Sequence, residues 1–285
     1  MAPINALLAP DATPVIGRMF EADAALADSA PARPRAAAPA PPAPPPPLSP
    51  APASTAASVL PLLGEVQSFA AGSSISVART LSLAHDLFLA DHHFIHATAV
   101  KPLAHCLPVL PMTVSLEMMA EMAACLAPGL GLVGFETVTA RRWIAVEDAG
   151  ALALRIEGRV CQSLAEGGQA RIAAQIFVGD NKSAAIDATV CFGSHHQAAP
   201  PSPLPAPEAA SAQYDAAALY GERHLFHGPR FQGLCGQLQV GPESVSGTLQ
   251  VRAAGDWFAG QQQPQLLTDS ALLDAVGQLV ALWPM

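Results

Sequence analysis

Charge is scarce in this chain. Asp, Glu, Lys and Arg make up 13% of its 285 residues, about half the usual ~25%. Lys and Arg number 14 against 23 Asp and Glu, the formal net charge is −9, and no basic run occurs. A protein built to grip a phosphate backbone carries a basic face, so nucleic acid is not an expected partner. No stretch approaches the ~20 uninterrupted apolar residues that a membrane span needs. The opening segment MAPINALLAPDATPVIGRMF lacks a basic start followed by a compact apolar run, so no secretory leader is expected. Cys106, Cys125, Cys161, Cys191 and Cys235 are odd in number, widely spaced and without a C-x-x-C pair. They read as reduced thiols, which places the protein in the cytoplasm.

Alanine and proline are plentiful instead. The hydrophobic share of 51% is inflated by alanine, which buries little area per residue. Of the 28 prolines, 11 lie between Pro31 and Pro52. Consecutive prolines fix φ and remove backbone donors, so that run favours extended polyproline II. A second Pro/Ala stretch covers residues 197–212. The expected division is an N-terminal segment and linker over 1–57, a folded unit over 58–196, a linker over 197–212 and a second unit over 213–285.

Each unit carries strands and a central helix. Ser74–Leu83 alternates as a strand does. Met112–Leu126 has helical periodicity, opened by Pro111 and closed by Pro128-Gly129. Four strand-like runs follow: Leu132–Ala140, Ala151–Gln162, Ala170–Val178 and Ala184–Phe192. After residue 212 come a short helix near Ala216–Tyr220, strands near Phe231–Val240 and Ser244–Ala253, and a helix over Leu272–Leu282. A long helix followed by an antiparallel meander is an α+β pattern.

Two constellations carry chemistry. Asp274 and Gln278 are four apart and share one helix face. An Asp among Leu, Val and Ala is either a buried acid, which burial pushes toward its proton-donating form, or a solvated group near the helix start. The second constellation is Asp91-His92-His93-Phe94-Ile95-His96, with His105 and Cys106 further on. It reads as a general base, as zinc ligands, or as unrelated surface histidines. No HExxH or CxxC frames a metal site.

Four stretches resemble, in order, the dehydratase domain of type I polyketide synthases, particularly iterative ones. Residues 63–92 resemble its opening strands, ending in Asp91-His92. Residues 108–121 (PVLPMTVSLEMMAE) resemble the proline-led start of its first central helix at Pro111. Residues 219–234 (LYGERHLFHGPRFQGL) resemble its Gly-Pro-x-Phe-Gln-Gly turn at Gly228 and Pro229. Residues 272–278 (LLDAVGQ) resemble its Leu-Asp-x-x-x-Gln helix. The resemblance implies a double hotdog fold. It implies a 3-hydroxyacyl-[acyl-carrier-protein] dehydratase, a hydro-lyase with His92 as general base, Asp274 as general acid and Gln278 holding Asp274. His93 remains an alternative in register. The substrate would ride on the phosphopantetheine of an acyl carrier protein, with no metal or organic cofactor. Other synthase domains would be partners, and dimerisation is common in the family. A local patch of Arg141, Arg142 and Arg223 or Arg230 is one candidate surface for the carrier; scattered solvated arginines are the alternative.

The chain departs from that pattern in three places. His96 stands where the family commonly has Gly, the loop before Pro111 is longer, and His227 replaces the tyrosine before Gly-Pro. Few residues follow Gln278, so the second hotdog is expected to be cut short at its C-terminal side. The three departures resemble a divergent iterative subgroup; His96 and the shortened second hotdog also support the competing reading, a non-catalytic double-hotdog module that structures a synthase or binds acyl chains. A zinc-dependent hydrolase is the third reading.

Overall fold

The central helix, α1 (Met112–Ala124), is wrapped by a sheet on one side and by the second half of the chain on the other. The computed structural model describes residues 60–95, 103–146, 150–196, 212–242 and 244–282. The expected N-terminal segment 1–57, nearly all of the 197–212 linker and His96 lie outside the described residues. Pro111 caps α1 at φ −56° and ψ 142°, a shape proline already favours. The residues that follow are mostly Met, Ala, Glu and Leu, which are strong helix formers. Val114, Met118, Met119 and Met122 are fully buried, which suits a helix surrounded rather than laid on a surface.

Six antiparallel strands surround it: β1 (Glu65–Ala70), β2 (Ser74–Ser82), β3 (Gly131–Ala140), β4 (Ala151–Gln162), β5 (Ala170–Val178) and β6 (Ile186–Gly193). Their spatial order is β1-β2-β4-β5-β6-β3. Alternate residues face α1, among them Ile75 and Val77, Leu154 and Ile156, Ile172 and Ile176, and Val190. A single helical turn, α2 (Leu164–Gly167), joins β4 to β5. The four strands expected after the helix are present. β1 is an edge strand exposed along its whole length, so it carries no inward-facing pattern.

The second sheet is β7-β8-β9, built from Ala212–Asp215, Leu234–Val240 and Val245–Leu249. β7 begins inside the stretch expected to be linker. Helix α3 (Ala216–Gly221) and helix α4 (Ser270–Ala281) pack on this sheet. Asp269 caps α4 by accepting the Leu272 N–H at 2.9 Å. Leu219, Tyr220, Leu225, Leu234, Leu238 and Leu282 form a small core of their own. On α4, Leu273 and Val276 are 42% and 44% exposed. Three strands are described in this half against six in the first, in line with a shortened second hotdog.

The two halves share a core. α1 packs on α4. The chain between β9 and α4 crosses to the first half, where Trp257 meets Phe88 at 5.4 Å and Phe231 at 5.2 Å. A buried carboxylate fastens this crossing, and a second ties α1 to the segment before β1. Glu117 on α1 accepts the N–H groups of Leu267 and Thr268 at 2.5 and 2.7 Å, and the Thr268 hydroxyl at 2.6 Å. One turn later Glu121 accepts the Leu62 N–H at 2.7 Å.

Both glutamates are fully buried. Burial, then the neighbouring Glu117 charge, pushes the Glu121 carboxyl up to about 9. The folded state therefore holds this proton more tightly than the unfolded chain does. That contribution is complete below the ordinary value of 4.5 and is lost as pH rises toward about 9. Thermal melts should show the midpoint falling across that interval. Glu121→Gln, neutral at every pH and still able to accept from Leu62, should remove most of the fall.

Candidate active site

His92, His227 and Asp274 converge, with one side-chain N or O atom of each within 4.8 Å of the others. They come from three separate segments. His92 follows a 3-10 turn (Leu87–Asp91) after β2. Its Nδ1 donates to the Val109 carbonyl at 2.7 Å, and its own carbonyl accepts the Val109 N–H at 2.9 Å. The strap just before α1 therefore fixes the ring and leaves Nε2 as the atom with a free lone pair. His93 does not join the cluster; its Nδ1 bonds the Ile95 carbonyl at 2.9 Å.

Asp274 lies on the second turn of α4 and is 13% exposed, so it is not a solvated group at the helix start. The Gln278 side-chain amide donates to its Oδ2 at 2.7 Å, and to the Phe231 carbonyl at 2.8 Å. The other end of that amide accepts the Tyr220 hydroxyl at 2.6 Å, which in turn accepts the Leu234 N–H at 3.1 Å. Every polar atom of Gln278 is thus committed, so Asp274 is held from behind by a rigid chain of bonds.

His227 reaches Asp274 Oδ2 with Nε2 at 3.2 Å. Its ring stacks on Phe226 at 4.0 Å and stands edge-on to His92 at 5.3 Å. Phe226, Phe231 and Phe94 enclose His92 at 5.0, 5.7 and 6.1 Å. Trp143 meets Phe94 at 5.0 Å and is itself exposed. This apolar wall explains the protonation of the site. Burial lowers His92 to about 4, against the pull of the Val109 carbonyl. Burial and then the neighbouring His92 lower His227 to about 3. Burial raises Asp274 to about 6, opposed by the Gln278 amide. Both imidazoles are neutral near pH 7, and the carboxyl is shifted toward its protonated form.

Gly228 and Pro229 set the turn that brings His227 in. Pro229 opens a 3-10 turn through Phe231. The Gly228 N–H donates to the Asp91 carbonyl at 2.7 Å. Arg230 donates to the Asp91 carboxylate from its backbone at 3.1 Å and its guanidinium at 2.8 Å. A Cβ on Gly228 would fall 2.6 Å from Asp91 Cγ, which forbids a side chain. Pro111 stands at the α1 N-terminus, where its carbonyl accepts the Ser115 N–H at 3.0 Å.

Some expected groupings do not form. His105 and Cys106, on a separate 3-10 turn (Leu103–Cys106), do not join His92 in a metal-sized group among the described residues. The arginines form no free patch as a set. Arg141 is paired with Asp187, Arg142 donates to the Ser183 carbonyl, and Arg230 serves Asp91 and Asp256. Arg223 makes only a 3.5 Å contact with the His93 carbonyl. Sequence reasoning missed Tyr220, one of only two tyrosines in the chain. It also missed the use of Asp91 as a clamp; the Asp91-His92 pairing was its only signal.

No protein-family model matches the chain, and no curated protein matches it. Solved structures do. The dehydratase domain from the CurK module of curacin polyketide synthase aligns with TM-score 0.55 at 17% identity, over 78% of this chain and 75% of that one. Two inactive CurK dehydratase variants, one His to Phe and one Asp to Asn, align at 17% identity over the same shares, with TM-scores 0.54 and 0.52. The dehydratase domain of a mycocerosic acid synthase-like polyketide synthase aligns with TM-score 0.52 at 19% identity, over 81% of this chain and 74% of that one. The class defined by the fold is the double hotdog. Within it, the chain resembles polyketide synthase dehydratase domains.

The turn at Gly228 gives a stability test. Gly228→Ala should cost about 1–3 kcal/mol, the usual penalty for overpacking. Gly277→Ala is the contrast: Gly277 is exposed in α4 with nothing near its would-be Cβ. It should gain about 0.5–1 kcal/mol from helix propensity. Urea unfolding midpoints of the two variants should move in opposite directions.

Proposed function

We propose that this chain is a polyketide synthase dehydratase domain. It eliminates water from a 3-hydroxyacyl thioester carried by an acyl carrier protein and yields the 2-enoyl thioester. The observation that carries the reading is the convergence of His92 from the first half with Asp274 from the second. The inactive His-to-Phe and Asp-to-Asn variants of CurK support it, since those are the residue types that meet here.

His92 Nε2 takes the α-proton, and the electrons pass toward the thioester carbonyl. The β C–O bond then breaks while Asp274 gives its proton to the departing hydroxyl, which leaves as water. A thioester acidifies its α-proton only modestly, so the base must be held at close range. The Val109 carbonyl does this by fixing the tautomer and angle of His92. Hydroxide is a poor leaving group, so an acid is required, and burial raises the pKa of the Asp274 carboxyl. Gln278 and His227 both approach Oδ2, which leaves Oδ1 to carry the proton toward substrate. No step uses a metal or an organic cofactor.

The test is turnover of a 3-hydroxyacyl-pantetheine or carrier-bound substrate, followed by the mass loss of one water. The expected result is enoyl product from the wild-type chain. His92→Ala and Asp274→Asn should each slow it by about 10²–10⁴-fold, the share general acid or base catalysis supplies. Equal rates in all three proteins, or acyl binding with no dehydration, would overturn the reading. The second outcome would leave a non-catalytic acyl-binding module.

A further inference from the structure

We propose that His92, His227 and Asp274 form a zinc site, so that zinc and the acyl substrate compete for one set of atoms. The geometry is that of a two-histidine, one-carboxylate ligand set. The donor atoms lie within 4.8 Å of one another, and His227 Nε2 is already 3.2 Å from Asp274 Oδ2. Donors about 2.0–2.1 Å from a tetrahedral ion sit roughly 3.3 Å apart. One pair is already at that spacing, and zinc would draw in the donors that lie up to 4.8 Å apart. Among the described residues it is the one group of three His, Cys, Asp or Glu side chains with this spacing.

Three further features fit a metal. The two imidazoles are buried and the carboxylate nearly so, so this is not a surface acidic cluster. Two of the three ligands already have outer-shell partners of the kind that orient metal ligands. His92 Nδ1 donates to the Val109 carbonyl and leaves Nε2 bare, and Asp274 is gripped by the Gln278 amide. His227 Nδ1 is buried without a hydrogen-bond partner, so this third ligand lacks the outer-shell acceptor that the other two ligands have. Nitrogen donors favour zinc over magnesium or calcium.

His227 makes the difference. A tyrosine there, as in the resembled family, would leave one imidazole and one carboxylate. With His227 the third ligand is present, and a fourth position stays open for water or a competing oxygen. The lone pair on His92 that would take a proton is the one that would take the metal. Binding of zinc stands without the dehydratase reading; competition with substrate rests on it.

The chelator-treated chain is titrated with zinc chloride by calorimetry, and its cobalt(II) form is examined by visible absorption. The expected result is one ion per chain, with cobalt bands of low-coordinate nitrogen and oxygen ligation. Gln278→Leu should weaken binding by about 10–100-fold through the outer shell. His227→Tyr and the isosteric Asp274→Asn should weaken it by more, and circular dichroism confirms that each variant is folded. Absence of stoichiometric zinc, or unchanged affinity in His227→Tyr and Asp274→Asn, overturns the site. In the turnover assay, zinc should inhibit and chelator should restore the rate. Unaffected turnover at saturating zinc overturns the competition. Zinc bound at the triad in a chain that never dehydrates would keep the metal site and reject the dehydratase reading.

Discussion

The Glu117 carboxylate lies at zero exposure in the middle of the molecule and accepts two backbone N–H groups and a hydroxyl from residues 267 and 268. Those residues lead directly into α4, whose second turn carries Asp274. The other half of the site hangs from the same helix. Val109, two residues before Pro111, holds the His92 ring and backbone. α1 thus positions His92 at its N-terminal side and Asp274 through its middle. Burial raises the Glu117 carboxyl above its ordinary range, and losing these donors would leave it buried and unpaired at a cost of about 1–3 kcal/mol, which opposes drift of the crossing segment. His92 and Asp274 are thus both tied to α1 and its leading strap.

Burial then decides what the site can do. Two imidazoles and a carboxylate close together in water would share protons freely. Here Phe94, Phe226 and Phe231 replace most of the water around His92. Ionised forms lose hydration and the neutral forms win. The result is a pair of neutral bases facing a carboxyl whose pKa is raised. The same bare lone pairs suit proton abstraction and metal ligation alike.

Much of this frame is legible in the sequence. Pro111 opens α1 because a missing N–H costs nothing at a helix start, Pro128-Gly129 stops its continuation, and α1 runs Met112–Ala124 between them. Alternation marks β2, β4, β5 and β6 because one face of each is buried against α1. β1 is exposed along its length and leaves no such trace. The i, i+4 spacing of Asp274 and Gln278 correctly signals a hydrogen bond. Glu117 and Glu121 show the opposite failure. Acidic residues on a helix ordinarily mark its solvated face, and only the partners from distant segments reveal that these are interior. The histidines mislead in the same way. Neighbours in sequence suggested a zinc group of His92, His93, His96 and His105 beside Cys106; among the described residues, which exclude His96, His92 instead meets residues from two later segments.

The Asp91-His92 dipeptide shows why such a site needs both halves. Asp91 uses its carbonyl to receive Gly228 and its carboxylate to receive Arg230. Those two contacts bracket the turn that begins at His227. The next residue, His92, supplies the ring that His227 meets edge-on. One dipeptide therefore builds one wall of the cluster and anchors the other. Moving Asp91 would shift His227 and His92 together, and Asp274 would lose both imidazole neighbours at once. Gly228 follows from this geometry: the clamp is so close that no side chain fits between the two halves at that point.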